Sequence, residues 1–177
     1  MDWEQIITSG LIGITITLVF SYMNNGANEE IEIQSNGDIE LRMNKFYQIL
    51  GYLSIGFASI FVMAALYYQD KEMYILGFAM LLLFGGLGLL ILMYYLNHKL
   101  MFNEDKIIVH NWRREVQEIY WTEITEIKFN AFSGYLKING RNKNLKIHYH
   151  LVGLKEFTKR IDQKTKWKSS NLNLPFK

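Results

Sequence analysis

Two long stretches of this chain contain no charged residue. Residues 46–69 and 73–97 lack Asp, Glu, Lys and Arg, and only the segment Asp70-Lys71-Glu72 separates them. A run of about 20 apolar residues, at roughly 1.5 Å of helix rise per residue, matches the hydrocarbon thickness of a bilayer. The two stretches therefore predict a transmembrane helical hairpin. Because they hold no ionisable side chain, they favour an anchor over a device that moves ions or protons.

A third, weaker apolar stretch lies near the N-terminus. Residues 5–23 are also uncharged, although several Thr and Ser side chains interrupt them. The preceding residues, Met1-Asp2-Trp3-Glu4, lack the basic segment that begins a secretory signal peptide. We therefore predict an uncleaved first transmembrane helix over residues 5–23, which makes three in all.

The two halves of the chain differ in charge. Residues 1–98 carry 3 Lys/Arg and 9 Asp/Glu, whereas residues 99–177 carry 16 and 8. One side of the hairpin is flanked by six basic residues and its central link by Lys71 alone; the six are Arg42, Lys45, Lys99, Lys106, Arg113 and Arg114. By the positive-inside rule, residues 24–45 and the C-terminal region are predicted to be cytoplasmic, with the N-terminus outside.

Residues 29–44 form a predicted β-hairpin between the first two apolar stretches. Apolar and polar residues alternate on both sides of a central turn, which is typical of paired strands. A three-residue turn over residues 35–37, with Gly37 left-handed, places Ile33 opposite Ile39 and keeps apolar side chains on one face. Because an isolated two-stranded hairpin is marginal in water, we expect it to join a larger sheet.

That larger sheet is predicted within a cytoplasmic domain over residues 98–168. Six segments with strand character follow one another at the short spacing of an antiparallel meander: residues 100–103, 106–110, 116–120, 123–129, 135–139 and 145–149. In the last pair, alternation allows Leu136 to face Ile147 and Ile138 to face Leu145.

After residue 149 the spacing of apolar residues changes from the alternation of a strand to the three- or four-residue spacing of a helix. Leu154, Phe157 and Ile161 recur at helical spacing between charged residues, which predicts an amphipathic helix over residues 152–166 and leaves residues 169–177 as a tail. The predicted fold class is thus an α+β membrane protein: three transmembrane helices and a small antiparallel β-barrel capped by a C-terminal helix.

The layout around Trp121 is similar to that of a known superfamily. Trp121-x-x-Ile124-x-x-Ile127 follows the strand pair LMFNEDKIIVHN and precedes two short strands and a helix. Over about residues 30–165 the chain resembles bacterial pleckstrin-homology-like (PH-like) domains, and its strand–two helices–domain order is similar to the membrane-anchored YcxB-like branch. The resemblance implies a PH-like barrel at the bacterial cytoplasmic (inner) membrane. It implies no activity, because fold does not determine function.

Residues with catalytic or metal-binding chemistry are sparse. The chain has no cysteine. His148 and His150 share one face of a strand, but without an evident third ligand they are interpreted as surface histidines, and no metal or cofactor is expected. Four acids are interpreted as solvated strand residues, so no enzyme activity is expected: Glu115, Glu118, Glu123 and Glu126.

The basic residues are the candidate binding site. The predicted helix and its extension carry Lys155, Lys159, Arg160, Lys164, Lys166 and Lys168 beside Trp167, and one hairpin carries Lys137, Arg141, Lys143 and Lys146. Such clusters attract anionic lipid at a cytoplasmic leaflet, although a solvated helix face explains them equally well. Nucleic acid is not expected, because aromatic stacking platforms do not accompany the charges.

Three functions are consistent with these features. The first is a membrane-tethered, non-catalytic interaction module that docks on a protein partner or on the anionic inner leaflet. The second is a membrane immunity or inhibitor protein that neutralises a toxin. The third is a small oligomeric channel. Small residues in the third apolar stretch allow either a homo-oligomer or packing within the chain: Gly77, Gly85, Gly86 and Gly88.

Overall fold

The computed structural model describes residues 37–141 and 143–175, residues 25–28, and six isolated positions: Ser9, Ile14, Thr17, Ser21, Tyr22 and Ile31. Apart from those positions, the predicted first transmembrane helix over residues 5–23 lies outside the described part of the chain. So does the predicted pairing of Ile33 with Ile39. Gly37 is left-handed, at φ +80°, as the three-residue turn requires.

Two long helices form an antiparallel hairpin. Helix α1 spans Phe46–Tyr68 and helix α2 spans Lys71–Asn97, with 23 and 27 residues. At roughly 1.5 Å per residue these are about 35 and 40 Å long, more than the roughly 30 Å of a hydrocarbon core. Both are long and apolar enough to cross a membrane, and most of their large apolar side chains are exposed. Helix α2 begins two residues earlier than the uncharged stretch, because extended backbone at Asp70 ends the link there.

Glycines allow close contact between the two helices. A Cβ atom built on Gly88 would lie 2.8 Å from the carbonyl oxygen of Gly51, and one on Gly77 would lie 3.2 Å from that of Phe61. Both glycines therefore serve packing within the chain, one of the two alternatives left open by the sequence. Gly86 has no atom within 4 Å of its built Cβ and faces away from helix α1.

Helix α2 is not uniformly α-helical. A π-helical segment, Leu81–Gly85, interrupts it, and the Ser54 hydroxyl of α1 donates a hydrogen bond to the Phe84 carbonyl at 2.7 Å. Small hydroxyl side chains stabilise helix pairs in apolar surroundings in this way. This bond and the glycine contacts therefore join the two helices at successive positions along their length: Gly51 with Gly88, Ser54 with Phe84, and Phe61 with Gly77.

The first sheet joins the two ends of the hairpin. Its strands are antiparallel in the order β1 (Ile39–Arg42), β2 (Lys99–Phe102), β3 (Lys106–His110) and β4 (Val116–Tyr120). Strand β1 precedes the hairpin and β2 follows it, and Arg42 is directly opposite Lys99. We call the region where the hairpin meets this sheet, residues 43–47 and 94–98, the junction.

A second sheet contains the remaining strands. It has the order β5 (Ile124–Asn130), β6 (Tyr135–Gly140) and β7 (Asn144–His148). The predicted register is confirmed, since Leu136 pairs with Ile147 and Ile138 with Leu145. The predicted closed barrel is wrong for the described strands. A 3-10 turn, Trp121–Glu123, ends the first sheet and starts the second, so β4 and β5 do not continue one ladder.

Both sheets and helix α3 (Leu154–Lys164) enclose one apolar core. Leu154, Phe157 and Ile161 are fully buried, which confirms the amphipathic helix. The ring of Trp121 lies 5.8 Å from that of Phe157, and its indole N–H donates to the Asn103 carbonyl at 3.0 Å. The segment predicted as a tail is packed too, because Leu172 is buried in this core.

Replacing Gly88 with alanine should destabilise the helical hairpin. The added methyl group meets backbone of α1, which cannot move aside without separating the helices. We expect G88A to lower the melting temperature of the detergent-solubilised protein by several degrees, measured by circular dichroism.

The matched control is G86A, two residues away on the same helix and with open space above it. It should leave the melting temperature unchanged or raise it slightly, because alanine favours helix over glycine. Equal losses in G86A and G88A would contradict the proposed contact.

Candidate functional site

The junction is continuous with the sheet and contains no flexible linker. A single residue, His98, separates helix α2 from strand β2, and its amide donates to the Tyr94 carbonyl at 2.9 Å. On the other side, the buried Asn44 side chain accepts a hydrogen bond from the Phe46 amide at 2.9 Å and so fixes the start of α1. The hairpin axis and the sheet are therefore held in one orientation.

Tyrosines and histidines fill the space beneath the two helix ends. Tyr47 Oη is hydrogen-bonded to His150 Nδ1 at 2.6 Å, and Tyr94 Oη to Tyr135 Oη at 2.5 Å. The ring of His148 lies 5.0 Å from that of His150. We call these five residues with His98 the Tyr–His cluster. It connects both helices to the second sheet.

Burial keeps the histidines of this cluster neutral. It lowers the pKa of His98 and of His150 to about 4, and burial together with the neighbouring His150 and His98 lowers the pKa of His148 to about 3. The interpretation of His148 and His150 as surface histidines is wrong, because His150 is buried and His148 half-buried. Their burial depends on tyrosines from the two helices, which a strand pattern does not reveal.

The cluster does not have the composition of a metal centre. Within the described residues, no group of three or more His, Cys, Asp or Glu side chains is placed to hold a metal ion. His150 Nε2 is buried without a hydrogen-bond partner among the described atoms. The surrounding phenol rings make the cluster a packed joint between the helices and the domain.

The basic residues of helix α3 lie mainly at the end of the domain away from the junction. We call this end, marked by the β2–β3 turn at residues 103–105, the far end. Arg160 and Lys164 form ion pairs with Glu104 in the β2–β3 turn. Strand β2 starts at the junction, so Glu104 is about 16 Å from it at roughly 3.3 Å per residue. The helix itself starts near the junction, where the Gly153 amide donates to the Gly26 carbonyl, and runs away from it.

The other residues of that predicted cluster have their own contacts. Lys159 pairs with Glu156 at 2.8 Å, and Lys168 Nζ donates to the Asp162 carbonyl at 2.9 Å. Lys166 Nζ lies 4.8 Å from the ring centre of Trp167, and Lys155 is exposed in the first turn of α3. Lys155 and Lys159 line one surface pocket, whereas Arg160 and Lys164 pair with Glu104.

The hairpin of β6 and β7 carries basic residues in its turn and in the middle of its strands. Arg141 and Lys143 lie in the β6–β7 turn, at the end of β6 opposite to Tyr135, and Lys143 lies beside Val116, Gln117 and Glu118 of β4. Lys137 and Lys146 face each other in mid-strand. Lys128 of β5 is directly opposite Lys137 and pairs with Glu126 at 2.6 Å. Three lysines thus cross the outer face of the second sheet in one row.

Two turns at the junction end carry residues that the sequence did not single out as a site. In the β3–β4 turn, the Asn97 side chain donates to the Trp112 carbonyl at 2.9 Å, and Arg113 stacks on Trp112, 4.6 Å from the ring centre. In the β5–β6 turn, Phe132 is completely exposed. Tyr135, which follows that turn, is the partner of Tyr94, so the turn lies beside the last turn of α2.

A cleft of about 400 Å³ opens between these two turns. Its lining residues come from helix α2, the β3–β4 turn and the second sheet: Tyr94, His98, Asn111, Trp112, Ser133, Tyr135, Lys137 and Lys146. The signal that could have identified it is Trp112-Arg113-Arg114 in a turn next to a predicted membrane span. Its other walls come from residues distant in sequence.

Comparison with known proteins adds no assignment. A scan against protein-family models finds no match, and neither does a search of curated proteins or of solved structures. The cleft and the junction must therefore be interpreted from their own geometry.

Acidification should destabilise the protein through the Tyr–His cluster. Its histidines have a lower pKa in the folded state than the ordinary 6.5, so the unfolded chain binds more protons below about pH 6.5. We expect the melting temperature to fall between pH 7.5 and pH 5.5, measured by differential scanning fluorimetry. The loss should be smaller in H148N, which keeps an acceptor for the His150 amide. A melting temperature that is constant or rises towards pH 5.5 would contradict this.

Proposed function

We propose that this protein is a non-catalytic, membrane-anchored module of the PH-like, YcxB-like type, whose domain docks on the anionic inner leaflet of a bacterial cytoplasmic membrane. The observation that carries the proposal is the pairing of β1 with β2 across the two ends of the hairpin. Because both helix ends enter one sheet without a linker, a hairpin in the bilayer holds the junction end of the domain at the lipid headgroups. Two antiparallel sheets closed by a C-terminal helix support the PH-like part.

The junction end has the composition of a membrane interface. Trp112 and the fully exposed Phe132 occupy two neighbouring turns, and Arg113 and Arg114 are exposed beside them. Aromatic and basic side chains are enriched at the cytoplasmic interface of membrane proteins. Each Lys or Arg near an anionic surface gains about 1 kcal/mol. An exposed Phe at the tip of a turn otherwise leaves a large apolar surface in water.

The basic residues of helix α3 contribute less to this docking than their number suggests. Electrostatic attraction decays over a Debye length of about 8 Å at physiological ionic strength, and the far end of the domain lies about two such lengths from the junction. Arg160 and Lys164 in addition share the single negative charge of Glu104. We therefore assign leaflet docking to the junction end, and the far end stays open to water or to a protein partner.

Hydrogen exchange in nanodiscs tests this assignment. The full-length protein is reconstituted in phosphatidylcholine alone and in phosphatidylcholine mixed with phosphatidylglycerol. We expect amides of residues 111–115 and 131–134 to exchange several-fold more slowly in the anionic discs, and the difference to shrink at high salt. The double variant R113E/R114E should lose this protection.

The control is R141E/K143E, which makes the same charge change in the β6–β7 turn, at the end of β6 opposite to Tyr135. It should keep the protection of the junction turns. Protection that does not depend on phosphatidylglycerol, or that R141E/K143E removes equally, would contradict leaflet docking. In that case a protein partner at the far end would become the better interpretation.

A further inference from the structure

We propose that the cleft beside the junction binds the headgroup of one anionic glycerophospholipid, with its phosphate held by Lys137 and Lys146. This inference rests on the proposed function, because it requires the junction to lie at the inner leaflet. Beyond leaflet docking, it requires a site that binds one lipid molecule per protein chain. The cleft volume of about 400 Å³ is within the range of sites that hold small ligands.

The two lysines supply the charge for this site. They are directly opposite each other on neighbouring strands, and neither forms an ion pair with any described residue. Like charges in directly opposite positions destabilise a sheet. Lys128, the third in the row, has Glu126 as a counter-ion. A phosphate between Lys137 and Lys146 would supply the missing negative charge and remove their mutual repulsion.

The other residues that line the cleft can contact the phosphate, the glycerol and the start of the acyl chains of a lipid. Ser133 offers a hydroxyl that can bind the phosphate or the glycerol hydroxyls, whereas the Asn111 side chain holds the β3–β4 turn by bonds to the Arg113 amide and to Glu115. Trp112 and Tyr94 provide aromatic surface at the level of the interface, where such rings are favoured. Tyr94 belongs to the last turn of α2, so a headgroup in the cleft has a path for its acyl chains along the outside of that helix.

The arrangement distinguishes among headgroups. Two ammonium groups attract the single negative charge of phosphatidylglycerol, whereas the quaternary ammonium of phosphatidylcholine would approach the same lysines with the same sign of charge. His98, which also lines the cleft, is neutral because burial lowers its pKa to about 4. The cleft should therefore prefer phosphatidylglycerol over phosphatidylcholine.

Native mass spectrometry of the full chain, released from detergent after incubation with equal amounts of the two lipids, tests the site. We expect the wild-type protein to retain one phosphatidylglycerol in preference to phosphatidylcholine. The variant K137Q/K146Q should reduce its apparent affinity about 30-fold, as expected for two lost basic contacts. The control R141Q/K143Q removes the same charge from the turn of the same β-hairpin and should bind like the wild type.

Three results would overturn the cleft site. They are equal retention of both lipids, equal loss in K137Q/K146Q and R141Q/K143Q, and displacement of the lipid by millimolar glycerol phosphate, which would indicate a soluble ligand. Each is distinguishable from failure of leaflet docking, because the exchange protection of residues 111–115 and 131–134 in nanodiscs is measured separately. Protection there together with no preferential lipid retention would leave docking in place and reject the cleft.

Discussion

The antiparallel pairing of β1 with β2 is the interaction on which the rest of the molecule depends. Neighbouring strands in a sheet are about 4.8 Å apart, whereas packed helices are usually separated by 8–10 Å. The two helices must therefore pack closely near the junction. Gly51 and Gly88 allow this, because side chains at these positions would hold the helices apart. Asn44, Tyr47 and Tyr94 then fill and fix the space beneath the helix ends.

This pairing gives the domain two distinct ends. Strand β2 runs from the junction to the β2–β3 turn, so Glu104 and its basic partners lie away from the hairpin. Basic residues that look equivalent in sequence are thereby divided: Lys137 and Lys146 line a cleft next to α2, whereas Arg160 and Lys164 pair with Glu104 at the opposite end. Under the proposed leaflet docking, proximity to the helices, more than the number of charges, determines which of them can contact lipid.

Much of the fold follows from local sequence patterns. The uncharged stretches, the alternation that pairs Leu136 with Ile147, and the helical spacing of Phe157 and Ile161 each report a local environment, and the structure agrees with them. Features that depend on distant residues were not predictable in this way. The separation into two sheets depends on the turn at Trp121, whose side chain is held by the distant residues Phe157 and Asn103.

The same limit applies to the candidate site. Burial of His150 depends on Tyr47, which lies in the first helix, so the strand pattern around His150 could not show it. The cleft combines residues from α2, the β3–β4 turn and the second sheet, and only the folded chain brings them together. Charge clusters were visible in the sequence, but their distances from the hairpin were not.

The depth of the β5–β6 turn relative to the bilayer tests the central claim most directly. The chain has no cysteine, so single spin labels can be placed at F132C in that turn and at K143C in the β6–β7 turn, at the end of β6 opposite to Tyr135. In vesicles containing phosphatidylglycerol, the label at position 132 should be relaxed more by oxygen, which concentrates in lipid, than by a water-soluble nickel chelate. The label at position 143 should show the reverse. Equal exposure of both labels to the nickel chelate would contradict a domain held with its junction end at the membrane.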